Sequence, residues 1–99
     1  IYRIERVFFY HDGVLHGLNS QVAPQGENDL LASWGKLAEQ GVELAVCIAS
    51  GIKRGILNQQ EQARYEKSSH TLAPAFELVG LGQLIAGIQN ADRYIEFPR

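Results

Sequence analysis

Apolar positions along the chain fall into short runs that alternate between strand and helical spacing. Residues 42–49 are apolar except at Glu43 and rich in β-branched side chains. They are too few to cross a membrane, so the run reads as a parallel strand buried on both faces. Val42, Leu44, Val46 and Ile48 mark one face, and the small residues Ala45, Cys47 and Ala49 mark the other. The small face lets a helix approach closely. Residues 4–10, with Val7, Phe8, Phe9 and Tyr10, read as an earlier strand, and Phe76 to Val79 as a later one. Residues 92–97, with Ile95 and Phe97 on one side and Pro98 as a stop, read as the last strand.

Helical spacing separates these runs. Over residues 27–40, Leu30, Leu31, Trp34, Leu37 and Ala38 form an apolar stripe, with Ser33, Lys36, Glu39 and Gln40 facing away and Gly41 supplying a left-handed terminus. Ser50 is placed to cap a short helix over residues 51–57. Asn58 with Glu61 resembles a capping box opening a polar helix over residues 59–67. That helix has little apolar face, which predicts a place on the surface or against another subunit. Gly80 and Gly82 turn the third strand into a helix through Leu84, Ile85 and Ile88. A Gly-x-Gly with no third glycine is a weak phosphate signal, and tight strand-to-helix packing is the stronger reading. The strand, helix, strand order predicts a small parallel α/β sheet with helices on both faces.

Composition narrows the setting. The chain has 99 residues, 45% of them hydrophobic, which suits one small domain with a modest core. A formal net charge of −2, with no block of Lys or Arg, argues against direct capture of nucleic acid. The single cysteine excludes an internal disulfide and a multi-cysteine zinc site, and it fits a reducing, cytoplasmic setting. The chain starts at Ile1 and enters a strand almost at once. The expectation is one domain over residues 1–99 that lacks an N-terminal strand and helix.

The candidate chemistry centres on Cys47. It closes the best strand just before a turn into a helix, and ligands in open α/β sheets gather beyond the carboxyl ends of the strands. A helix N-terminus, with Lys53 and Arg54 one turn in, favours the thiolate. A thiol so tuned gains more as a leaving group than as an attacker, which suits a cysteine that receives sulfur and hands it on. A small core hydrophobe is the rival reading of the same residue. Residues 11–26 hold Gly13, Gly17, Gly26 and Pro24 and read as an irregular active-site loop. His11, Asp12 and His16 in it invite a Cys-His-Asp nucleophile, which requires a histidine within hydrogen-bond reach of Cys47. The spacings of His11, His16 and His70 match no established metal-ligand pattern.

Several pieces in order carry a family resemblance. They are Val7-Phe8-Phe9-Tyr10 followed by Gly13-Val14, Cys47-Ile48-Ala49 leading to Arg54-Gly55, Phe76 through Gly82, and Asp92-Arg93. Together they resemble the DsrE-like sulfurtransferases along nearly the whole chain. The resemblance implies an α/β fold of DsrE type, with Cys47 at the position of the family's persulfide-carrying cysteine and no metal or organic cofactor. It also implies partners: TusB-like and TusC-like subunits in a heterohexamer, a TusA-like sulfur donor and a TusE-like acceptor. In that relay the sulfur ends in the 2-thiouridine of transfer RNA wobble positions. Sulfur trafficking in dissimilatory sulfur oxidation is the alternative pathway, and a non-catalytic structural subunit is the alternative role.

Overall fold

The computed structural model describes residues 4–90 and 95. Three parallel strands form one sheet in the order β1 (Arg6–Phe9), β2 (Glu43–Cys47) and β3 (Phe76–Val79). Helices α1 (Leu30–Glu39), α2 (Ile48–Lys53), α3 (Gln59–Arg64) and α4 (Leu81–Asn90) surround it. The α/β class and parallel sheet agree with the sequence pattern. Residues 92–97, apart from Ile95, lie outside the described residues.

The strand register assigns the two faces of the sheet, because side chains alternate along a strand and in-register partners point the same way. Phe9 pairs with Val46, and Val7 with Leu44, which in turn pairs with Phe76. These residues share one face. Phe9, Leu44, Val46 and Phe76 are buried there with Val14, Val42, Ile56 and Leu72. Leu31, Trp34, Leu37 and Ala38 of α1 pack against this cluster as the helical stripe predicts, but Leu30 points outward and is 51% exposed. The opposite face carries Arg6, Phe8, Glu43, Ala45 and Cys47. There the Arg6 side chain pairs with Glu43 and donates at 3.0 Å to the carbonyl of Gln83 in α4.

Element boundaries shift from the pattern where tertiary contacts decide them. The Asp29 carboxylate caps α1, accepting from the Ala32 N–H at 3.1 Å, and Gly41 has the expected positive φ of 94°. Strand β2 ends at Cys47, and Ile48 and Ala49 belong to α2. Cys47, not Ser50, occupies the N-cap position of that helix. The overlap is possible because Gly51 is buried against the sheet. A Cβ there would lie 3.3 Å from Val46 Cγ1 and 3.5 Å from Leu78 Cδ2. Helix α2 stops at Lys53, and the turn at Gly55, with φ 81°, swings Ile56 and Leu57 into the core.

Asn58 does cap α3, accepting from the Glu61 N–H at 2.8 Å. The Glu61 carboxylate is buried and pairs with Arg64 at 3.5 Å, and α3 ends at Arg64, short of the anticipated residue 67. Residues 11–26 are not uniformly irregular. His11–Gly17 is a 3₁₀ helix whose Val14 and Gly17 are buried. Gly17 serves close packing, since a Cβ there would lie 3.2 Å from Val46 Cγ2 and 3.3 Å from Leu72 Cδ1. The chain after it zips to the segment before β3: the Ala73 N–H donates to the Gly17 carbonyl and the Asn19 N–H to that of Thr71. Gly80 and Gly82, in contrast, sit in no tight contact. A Cβ at either meets nothing within 4 Å among the described residues, so the tight-packing reading of that pair does not hold.

Candidate functional site

Cys47 terminates the central strand. Its in-register partner on β3 is Val79, and Val46 before it pairs with Phe9 of β1. The thiol is free and half-buried, touching the edge of the core cluster. It makes no capping hydrogen bond to α2. Helix α2 has only six residues, so its end alone does not constitute an anion site. What distinguishes the position is the combination of a strand end in the middle of the sheet, partial access and a free thiol that makes no capping hydrogen bond.

Two elements meet beside it. The position after Phe9 on β1 is Tyr10, and the position after Val46 on β2 is Cys47, so the chain leaving β1 crosses next to the start of α2. His11 has a positive φ of 48°, uncommon for a residue with a Cβ, and its N–H donates to Ser50 Oγ at 3.0 Å. Arg54 donates through Nε to Asp12 Oδ1 at 3.1 Å and through Nη1 to the Ser50 carbonyl at 3.2 Å. The sequence pattern casts Arg54 as a nearby positive charge. The structure engages it with a carboxylate, while Lys53 is exposed.

The histidines are dispersed. The His16 ring lies against Phe9 and Trp34, and the Trp34 indole N–H points at His16 Nδ1 at 3.4 Å. His70 is exposed, with its carbonyl accepting from Asn19. No hydrogen bond joins Cys47 to a histidine among the described residues, so the Cys-His-Asp nucleophile has no geometric support. No group of three or more His, Cys, Asp or Glu residues among the described residues is arranged to hold a metal ion. An open cleft of about 500 Å³ lies along Asn58, His70, Leu72 and Phe76, and Cys47 does not line it. The bridge from Asp12 to Arg54 had no signal in the sequence. The two residues are 42 positions apart, and only the parallel pairing of β1 and β2 brings them together.

A half-exposed thiol stands at the carboxyl end of the central parallel strand of a small α/β sheet, the edge beyond which ligands gather in open α/β sheets. The profile of the DsrE/DsrF-like family matches residues 2–97, and the chain belongs to that family. It is 43% identical over 97 residues to the "Sulfurtransferase TusD homolog" of Pseudomonas aeruginosa, an alignment covering 97% of this chain and 74% of that protein. It is 41% identical over 98 residues to "Sulfurtransferase TusD" of Serratia proteamaculans, covering 97% and 75%. A protein of Allochromatium vinosum that carries the name DsrE is 38% identical over 97 residues, covering 97% and 75%. The chain is a sulfurtransferase of this family. No helix among the described residues is long and apolar enough to cross a membrane.

Proposed function

We propose that Cys47 carries sulfur as a persulfide between two protein partners in a relay. The observation that carries this reading is the placement of the lone cysteine, half-exposed and without a hydrogen-bonded cap, at the end of the central strand. In the loading step the Cys47 thiolate attacks the outer sulfur of a donor persulfide. A bond forms from Cys47 Sγ to that sulfur, the donor's S–S bond breaks, and the donor departs as a thiolate. The proton on the outer sulfur travels with it, giving Cys47-S-SH. The acceptor's thiolate then takes the outer sulfur by the same exchange and Cys47 leaves as thiolate. Both steps balance without a further reagent, since each S–S bond broken is replaced by one formed.

In this reading the relay serves 2-thiouridine formation at transfer RNA wobble positions, with TusB-like and TusC-like subunits in the same assembly, a TusA-like donor and a TusE-like acceptor. Relatives named TusD at 41% and 43% identity support it. The DsrE-named relative, at 38%, supports sulfur trafficking in sulfur oxidation as the second reading. The test is intact-mass analysis of the full-length protein after incubation with glutathione persulfide. A gain of one sulfur that maps to Cys47 is the expected result. Absence of any gain, or a gain that survives replacement of Cys47, overturns the assignment. Loss of wobble 2-thiouridine on gene deletion separates the first pathway from the second.

A further inference from the structure

Helix α2, which Cys47 precedes as N-cap, is too short to hold its own shape. A helix of six residues has barely more than one turn, and isolated helices shorter than roughly 12 residues are marginal in water. Its orientation, and with it the direction of the Cys47 turn, must come from outside contacts. On the sheet side Gly51 packs on Val46 and Leu78. On the other side the contacts are polar. Arg54 Nη1 donates to the Ser50 carbonyl, in the last turn of α2, at 3.2 Å. The same guanidinium uses Nε to hold Asp12 at 3.1 Å, and Ser50 Oγ accepts from the His11 N–H. Arg54 therefore closes the end of its own helix and ties that helix to the chain leaving β1. A side chain 25% exposed is enclosed enough for this geometry to be maintained.

We infer that Arg54 is a positioning residue for sulfur transfer, acting through Asp12 and Ser50 to fix the turn that presents the Cys47 thiol. The inference rests on the persulfide-carrier reading of Cys47. Exchange between sulfurs demands an approach close to the line of the bond being broken, so a small reorientation of the turn slows it. Alkylation by iodoacetamide is also an in-line displacement, but that reagent is small enough to align itself with whatever direction the thiol presents, whereas the bulkier glutathione persulfide is not, so alkylation is less sensitive. Arg54 thus affects persulfide uptake more than it affects simple alkylation, and it does so jointly with Asp12.

The experiment measures sulfur uptake from glutathione persulfide by the full-length chain in its native assembly, as mass gain at Cys47. It runs beside alkylation by iodoacetamide and a thermal melt, for wild type, Arg54→Ala, Asp12→Asn and the double variant. Each single variant is expected to slow uptake about fivefold, and the double variant also about fivefold rather than the roughly 25-fold of independent sites. Alkylation is expected to stay within about twofold. Wild-type uptake by folded Arg54→Ala, multiplication of the two effects, or equal slowing of alkylation would each overturn the inference. If Arg54→Ala does not fold, Asp12→Asn still decides, because wild-type uptake by that variant overturns the inference as well. A wild-type protein that takes up no sulfur at Cys47 removes the underlying reading, whereas normal wild-type uptake with unaffected variants removes only the role of Arg54.

Discussion

The two faces of the sheet are built on different principles. On one, Phe9, Leu44, Val46 and Phe76 are buried beneath α1 and the 3₁₀ helix, with Val14 and Ile56 wholly enclosed. On the other, Arg6, Glu43 and Glu77 stand beside half-buried Phe8, and α4 lies across them with Leu81, Ile85 and Ile88 at 63%, 49% and 38% exposure. Register assigns Cys47 to this second face, at its upper end. The first face holds the larger cluster, although Ala45 and Val79 of the second are buried too, and Cys47 at the strand end packs against the edge of that cluster.

The sharpest way to break this comparison is Cys47→Ser. Sulfur uptake is expected to be abolished, since a serine hydroxyl is neither ionised nor a competent leaving group at neutral pH. Stability is expected to change by only about 0.5 kcal/mol for a half-exposed side chain, as read by denaturant unfolding. A loss several times larger would make Cys47 a core residue first. On the first face, Leu44→Ala removes a side chain only 2% exposed and is expected to cost about 2–5 kcal/mol through lost burial and the cavity left behind. Urea titration checks the value, and a cost below about 1 kcal/mol would contradict the asymmetry between faces.

Smaller effects are expected across the sheet. Arg6→Ala removes an ion pair with Glu43, whose side chain is 49% exposed, and a bond to the Gln83 carbonyl. The expected cost is about 1 kcal/mol, and the ion-pair share diminishes at high salt, checked by melting at two ionic strengths. The smallest effect on folding is expected for Ile85→Gln, within about 0.5 kcal/mol because the side chain is already half in solvent. If the apolar stripe of α4 adjoins a related subunit, this variant weakens co-purification of that subunit while its melting curve is retained. Unchanged assembly would remove α4 from the interface.

Local order in the chain was enough to specify the three strands, the α1 stripe, Gly41 at its end and the Asn58 cap. Each depends on side-chain periodicity or on a hydrogen bond spanning a few residues. The place of Cys47 at the end of the central strand was legible for the same reason. What local pattern could not supply were the contacts between distant segments. Whether Ile48 extends a strand or opens a helix was decided by the fit of Gly51 against Val46 and Leu78. Val14 and Gly17 fold a loop-like composition into a 3₁₀ helix with one side buried, because Val46, Leu72 and Phe76 lie beneath Gly17. Arg54, one charge among several in the sequence, becomes the link between two strand ends only when β1 and β2 lie side by side, since its partner Asp12 comes from another element.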